Sequence, residues 1–475
     1  MKTTIVGGSS VSRSNQSACN RLVNLFPVIV QHGGKEHAYL TRCAGLRKIA
    51  TVGNGPIRGM IELDGVGYIA SGTKLYSLTV NNVVTELGTI SGSNGRVSMA
   101  YNGIQIFIAC NPSAYLYNVS TAAFAQITDV DFVGAKHIRY VDGYFVFNEP
   151  NSRKIWKTAL LDGSAIDGLD FASVEANPSN ITALEVDHRE VFLFSKTSCE
   201  PWGNAGLAGF PFERINGGIM DVGCIAPDSV ARMDNSILFL GADKNGYGMV
   251  YRISGYNPVA ISDSNLGYAI ESYKRDYGTI EDAFAYCYQS EHHIFYVLTF
   301  PTANKTWCYD ASTGLWHERA SFSAGQFYRH RSNCHMAFNG YPTVGDFENG
   351  NIYVLDKDIY TDNEETQKWL RSWRAMPTGA NDGKMQIHNK LQIDFETGVG
   401  LVSGQGSDPV VSLRWSDDGG NVWSNYHTKQ IGNIGEYSAR VIWRRLGATR
   451  GGRDRVYEVS STDPVKIDIT GAWLE

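Results

Sequence analysis

Residues 57–71 read IRGMIELDGVGYIAS, and residues 74–78 read KLYSL. Two apolar runs flank an Asp-Gly pair, and a shorter aromatic run follows. Asp-Gly between apolar runs marks a tight hairpin, because both central residues of a type I′ turn need positive φ. The same order returns along the chain. VSMAYNGIQIFIA (97–109) precedes AYLYN (114–118), and IRYVDGYFVF (138–147) precedes KIW (154–156). ALEVDHREVFLF (183–194) leads to CEPW (199–202), and SVARMDNSILFLG (229–241) to MVYRI (249–253). AFAYCYQSEHHIFYVLTF (283–300) leads to TWCYD (306–310), and MAFNGYPTVGDF (336–347) to NIYVL (351–355).

The turn positions Asp64, Asn102, Asp142, Asp187, Asp234, Ser290 and Asn339 step by 38, 40, 45, 47, 56 and 49 residues. Four-stranded propeller blades repeat at about 40–50 residues. No single hairpin of this size can bury its apolar face alone. Radial stacking of such sheets gives them a shared core and leaves only short edges. The expected fold is all-β, with a β-propeller over residues 51–357. Seven repeats are visible, and the long last steps leave six blades plus an insertion open.

The flanks lack the repeat. Within residues 1–50, RLVNLFPVIV (21–30) and HAYLTRCAGL (37–46) read as strand pieces that either close the ring or form an arm. Residues 358–380 mix charge, aromatics and proline and read as a connector that holds one helical turn or an extra strand. From 381 to 475, pieces such as KMQIHNKLQIDFETGVG, VVSLRWSDDGGNVWSN and VKIDITGAWLE alternate with period two. That pattern predicts a C-terminal antiparallel β-sandwich.

Composition agrees with short strands and tight turns. The 475 residues include 50 Gly, 25 Tyr and 10 Trp, and only 19% are charged. A net charge of −6 argues against a chain built to grip nucleic acid, which needs excess Lys and Arg. The N-terminus MKTTIVGGSSVSRSNQ lacks an apolar core segment, so no signal peptide is expected. No run approaches the ~18 apolar residues of a membrane span. The eight cysteines are widely and irregularly spaced without a CxxC, and read as free buried thiols made in a reducing cytoplasm.

The sequence holds no nucleotide loop, HExxH or GxSxG. WSDDGGNVWSN (415–425) resembles an Asp box, the turn motif of sialidase propellers, through Ser416, Asp418, Gly420 and Trp423. It occurs once, in the tail, and no grouped arginines, tyrosine and acid accompany it, so it reads as a structural hairpin. A propeller glycosidase or depolymerase is the alternative, and would need paired carboxylates at the propeller axis. His292 and His293 are adjacent on a strand and point to opposite faces, which does not suit one metal. His330 and His335, with Cys334 between, lack further ligands. The residues therefore indicate no catalytic, cofactor or metal site. YDASTGLWHE (309–318) reads as a blade-end hairpin with Tyr309 and Trp316 packed between blades.

One charge cluster stands out. Arg440, Arg444, Arg445, Arg450, Arg453 and Arg455 fall within 16 residues that hold no lysine. Arginine suits bidentate pairing and stacking at interfaces. The six are candidate subunit or partner contacts, against the plainer reading of a solvated, salt-bridged strand pair.

Several stretches, in order, carry a resemblance. They are RLVNLFP with AGL (44–46), GPIRGM (55–60), GTKLYSL, NGRVSMA (94–100), LFSKTSCEPWGNAG (193–206) followed by FPFER, and WSDDGGNVWSN before RVIWRRLG. This series resembles the packaged-DNA-stabilisation, or tail hub (nozzle), proteins of short-tailed bacteriophages. The resemblance implies a non-enzymatic virion protein assembled in the host cytoplasm. It implies a homo-hexameric ring beneath the portal and the tail adaptor (head-to-tail connector) protein, holding the tail needle and retaining packaged DNA. Tailspike or tail fibre would be neighbours, and double-stranded DNA would transit without specific binding. No cofactor and no catalytic residue carries over. Six copies at −6 each would carry −36, which repels a passing phosphate backbone.

Overall fold

The computed structural model describes residues 1–14, 19–34, 36–175, 177, 179–242, 248–375, 385–449 and 455–475. Seven antiparallel sheets follow one another as blades one to seven. Their innermost strands are Ile57–Leu63, Ser98–Tyr101, Ile138–Val141, Ala183–Asp187, Ala231–Arg232, Phe284–Ser290 and Ser332–Phe338. Each touches the innermost strands of the blades beside it, and the seventh touches the first, so the ring closes. Closure is completed by the N-terminal strand Gly45–Thr51, which pairs antiparallel with Asn351–Asp356 as the outer strand of blade seven.

The long steps in the repeat are insertions between blades. A helix, Ser264–Tyr277, separates blades five and six. The Asp263 carboxylate accepts from the Leu266 N–H to cap it, Gly278 ends it at φ 86°, and Leu266, Ile270 and Tyr273 are buried. A hairpin, Ala320–Ser323 with Gln326–Arg329, separates blades six and seven. Among the described residues, no helix is long and apolar enough to cross a membrane.

In blade two the type I′ expectation fails at Asn102: only Gly103 has positive φ, at 99°, and Asn102 Oδ1 instead accepts from the Ile104 and Gln105 N–H groups. Four other inner turns follow the type I′ rule. Asp64 and Gly65, Asp142 and Gly143, Asp234 and Asn235, and Asn339 and Gly340 all have positive φ. In blades four and six the turn sits one residue beyond Asp187 and Ser290. Its central pairs are His188–Arg189 and Glu291–His292, with φ of 49° and 66°, and 48° and 68°. No glycine marks these two turns, which is why the sequence places them one residue early.

The sandwich draws on both ends of the chain. One sheet orders Leu22–Val23, Trp369–Arg374, Val456–Ser461, Val410–Ser416 and His427–Gln430. The other orders Leu25–Ile29, Ala38–Arg42, Asp468–Leu474, Lys390–Phe395 and Val441–Arg444, with Lys2–Thr3 also paired to Asp468–Leu474. Trp369, Trp373, Tyr457, Leu391, Trp443 and Ile469 fill the space between them, together with Ile5, Leu22, Leu25 and Leu40 from the N-terminal segment. Residues 1–50 are thus divided between the sandwich and blade seven. The stretch 358–380, read as a connector, supplies an interior sandwich strand, Trp369–Arg374.

Propeller and sandwich share one sheet. Leu315–Glu318, the outer strand of blade six, pairs parallel with Leu22–Val23 through Glu318 and Val23. Side chains reinforce the seam. Arg21 forms a fork on Glu318, with Nε to Oε1 at 3.0 Å and Nη2 to Oε2 at 2.7 Å. Arg42 is 4% exposed and donates to the carbonyls of Asp463, Val465, Tyr360 and Gln367. One guanidinium therefore ties the N-terminal hairpin to the chain that leaves the propeller and to the loop between the last two strands of the sandwich.

Candidate functional site

The innermost strands of six blades, with Pro227, Asp228 and Val230 just before that of blade five, line an axial channel of about 510 Å³. Its wall is cationic: Arg58, Arg96, Lys136 and Arg139 line it, with Asp228 the one carboxylate among the described lining residues. Arg58, 3% exposed, donates to the carbonyls of Gly72, Ser91, Gly92 and Gly95 and has no carboxylate partner among the described residues. Burial presses its pKa below the ordinary arginine value. Arg139 is neutralised from just outside the wall by Glu185, through bonds of 2.7 and 2.6 Å. Arg96 lies over the Phe284 ring at 4.3 Å and reaches Asp228 only at 4.0 Å. His137 Nε2 is 3.4 Å from Asp228 Oδ1. Burial pushes Asp228 upward, but the His137 bond and the charge of Arg96 outweigh it and hold the carboxyl below its usual range. The paired acids that a propeller glycosidase would place here are replaced by arginine and lysine.

The arginine cluster splits by environment. Among the described residues Val441–Arg444 is an edge strand, paired on one side only, with Lys390–Phe395. Its Val441 and Trp443 turn inward, while Arg440, Arg444 and Arg445 are exposed and hold no ion pair among the described residues. Cations along a free edge also discourage strand addition by a neighbour. Arg455 departs from the expectation of a partner contact. It is 2% exposed and forks onto Asp417, with Nε to Oδ1 at 2.6 Å and Nη2 to Oδ2 at 2.9 Å. A third bond to the Leu446 carbonyl at 2.7 Å pins it inside the sandwich. Arg455 shares the strand face of Tyr457 and Val459, which pack in the sandwich core, so the alternation that buries them also buries Arg455. Arg450 and Arg453 lie outside the described residues.

Arg455 also braces the Asp-box-like turn. Asp418 Oδ1 accepts from the N–H groups of Asn421 and Val422 at 3.0 and 2.9 Å, and Ser416 Oγ accepts from the Gly420 N–H at 2.9 Å. Gly419 and Gly420 take φ of 75° and 94°. Trp423 lies against Arg414, whose guanidinium is 4.5 Å from the ring centre, and Trp415 stacks on His427. The motif's polar groups are committed to the turn itself.

The histidines go to structural partners. His293 Nδ1 meets Asp310 Oδ2 at 2.8 Å, while His292 lies in the exposed turn. His330 Nδ1 meets Ser332 Oγ at 2.8 Å, and Cys334 is packed in the propeller core. No group of three or more metal-ligating side chains gathers among the described residues. All eight cysteines are free thiols, six buried and two, Cys19 and Cys287, half-buried. Tyr309 and Trp316 pack together at 5.1 Å.

Sequence reasoning did not single out the axial cations. Arg58, Arg96, Lys136 and Arg139 share one trait legible in the chain: each lies in, or within two residues of, the first strand of its repeat. That strand is the one that faces the axis.

At the level of solved structures the chain is similar to one in a mitotic checkpoint complex (9% identity, 63% of this chain and 89% of that one, TM-score 0.41). It is also similar to the N-terminal domain of Nup159 (9%, 71% and 99%, 0.39) and to the computationally designed Ika8 protein (12%, 74% and 99%, 0.39). These likenesses are too distant to inform function. No curated protein sequence matches the chain. Two family models do: bacteriophage P22 Gp10, β-propeller, over residues 1–360, and bacteriophage P22 Gp10, β-sandwich, over residues 372–475. With propeller and sandwich both matched in order, the chain belongs to the P22 Gp10 family of phage tail structural proteins.

Proposed function

We propose that this chain is the subunit of a tail hub, or nozzle, of a short-tailed phage. Six copies form a ring that extends the channel of portal and adaptor, retains the packaged genome and conducts it during ejection. The subunit is made in the host cytoplasm, ends in the virion tail and performs no catalysis. Its partners are the adaptor, the needle or plug, and the tailspike or fibre; DNA passes without specific binding. The observation that carries this reading is the match of both domains, in order, to one phage tail family.

Physical features support it. The propeller and the sandwich are joined by a shared sheet and by the Arg21 and Arg42 contacts, so a subunit can transmit load as one body. Arg440, Arg444 and Arg445 form an exposed cationic edge suited to an acidic face of a neighbouring subunit or partner. The net charge of −6 per copy lowers the affinity of the ring for passing DNA.

Phage particles assembled without this protein test the proposal. Loss of packaged DNA and absence of the distal tail are expected. Particles that keep their genomes and carry normal tails would overturn it. Triple replacement of Arg440, Arg444 and Arg445 by serine should leave the monomer folded and reduce its incorporation into particles.

A further inference from the structure

We propose that the axial channel of the propeller is a binding site for a small oxyanion of the phosphate class. This rests on the channel alone and does not depend on the hub assignment.

Four cations line the channel, and two carboxylates, Asp228 in the wall and Glu185 behind it, face them. With His137 neutral, an excess of two positive charges remains in the middle of a chain whose total is −6. Glu185 is spent on Arg139 in a bidentate pair. Asp228 alone is left for Arg96, Lys136 and His137. Lys136 forms no ion pair among the described residues, and its ammonium can rotate toward a ligand. Like charges enclosed by protein repel more strongly than in water, so an empty channel of this composition is a cost that a bound anion would remove.

Hydrogen-bond capacity agrees. Arg96 and Lys136 offer charged donors from the wall, and hydrogen phosphate carries several charged oxygens that can accept from both at once, which chloride does with a single atom. A channel of about 510 Å³ is large enough for a phosphate group that is either free or attached to a nucleoside.

Calorimetric titration of the full-length protein with inorganic phosphate, and separately with adenosine monophosphate, tests the site and its source. Saturable binding of phosphate at constant ionic strength is expected, weakened at least about tenfold in Lys136→Gln, the loss of one charge-assisted contact. Tighter binding of the nucleotide than of phosphate would assign the site to a phosphate ester, and the reverse would assign it to the free ion. No saturable binding of either at millimolar concentration overturns the proposal. Thermal unfolding supplies a readout that a merely structural lysine would not give. Without phosphate, Lys136→Gln should match or exceed the wild-type midpoint, because repulsion is relieved. With phosphate the order should invert. An equal fall in midpoint with and without phosphate would show that Lys136 only supports the fold, and would sink the idea.

Discussion

The propeller and the sandwich are both antiparallel β structure, yet they are assembled in opposite ways. Blades one to six each take their four-stranded core from one continuous stretch of chain, and only blade seven borrows a strand, Gly45–Thr51. Both sandwich sheets combine strands from the first 42 residues with strands from residue 369 onward. The propeller is therefore mostly local in sequence, and the sandwich depends on contacts across almost the whole chain. Even the two ends meet: the Met1 amine donates to the Leu474 carbonyl at 2.6 Å, and the Leu474 N–H donates to Met1 O at 2.8 Å.

The sharpest way to break that contrast is to delete residues 1–44. The deletion leaves Gly45–Thr51 in place to close the ring, but removes Ile5, Leu22, Leu25 and Leu40 from the sandwich core. Burying each such side chain is worth roughly 1.5–3 kcal/mol, so the deletion approaches the whole stability of a domain. Limited proteolysis should leave a propeller-sized fragment and digest the C-terminal hundred residues. A protease-resistant fragment covering 385–475 would show that the sandwich does not need the arm.

This contrast also explains what could be read from the chain. Local assembly writes itself as a repeat, so Asp64-Gly65, Asp142-Gly143 and Asn339-Gly340 place blades from the sequence alone. Long-range assembly leaves no period. Nothing in RLVNLFP says that Leu22 will lie beside Trp369–Arg374, or that Trp369–Arg374 is an interior strand. The helix Ser264–Tyr277 was hidden by the repeat around it, although Asp263 and Gly278 are its cap and stop. Arg455 looked like its exposed neighbours because burial depends on strand phase and on Asp417, 38 residues away.

Acid should separate the two domains next. In the propeller, burial pushes His317 down to about 3 and His335 to about 4, and His330 well below its ordinary value. In the sandwich, burial lowers His388 to about 4. An unfolded histidine takes up its proton near 6.5, while these folded ones stay neutral, so the unfolded state binds more protons between those limits. Their stability is intact above pH 6.5 and is lost as pH falls toward about 4. Each group shifts the folded-to-unfolded ratio by up to about tenfold per pH unit in that window. The propeller, with more such groups, should show the steeper fall. Thermal midpoints from pH 7 to pH 4, followed separately for each domain, measure it, and equal slopes would contradict it.

A smaller effect compares how the two domains hold their turns. The propeller relies on backbone conformations that Asp, Asn and Gly tolerate; the Asp-box-like turn relies on side chains. Asp418→Ala frees the N–H groups of Asn421 and Val422. It should cost about 1–2 kcal/mol in the sandwich transition and leave the propeller transition unmoved. It should weaken folding or assembly and abolish no reaction, because the carboxylate serves the turn. Denaturant unfolding with a domain-specific probe checks both halves of that statement.

The smallest expected effect bears on the turns themselves. His292 holds φ 68° in the blade-six hairpin and is exposed, and its backbone carbonyl accepts from Ser312 Oγ. A side chain in the left-handed region costs about 1 kcal/mol relative to glycine, partly returned because glycine has more freedom to lose on folding. His292→Gly should therefore stabilise the propeller by roughly 0.5 kcal/mol, and its unfolding midpoint should rise slightly. The same change would restore the glycine signal that blades one, two, three and seven carry. If instead the midpoint falls, the His292 ring makes a stabilising contact that its exposure conceals. The blade-six turn would then be held by its side chain, as the sandwich turn is by Asp418.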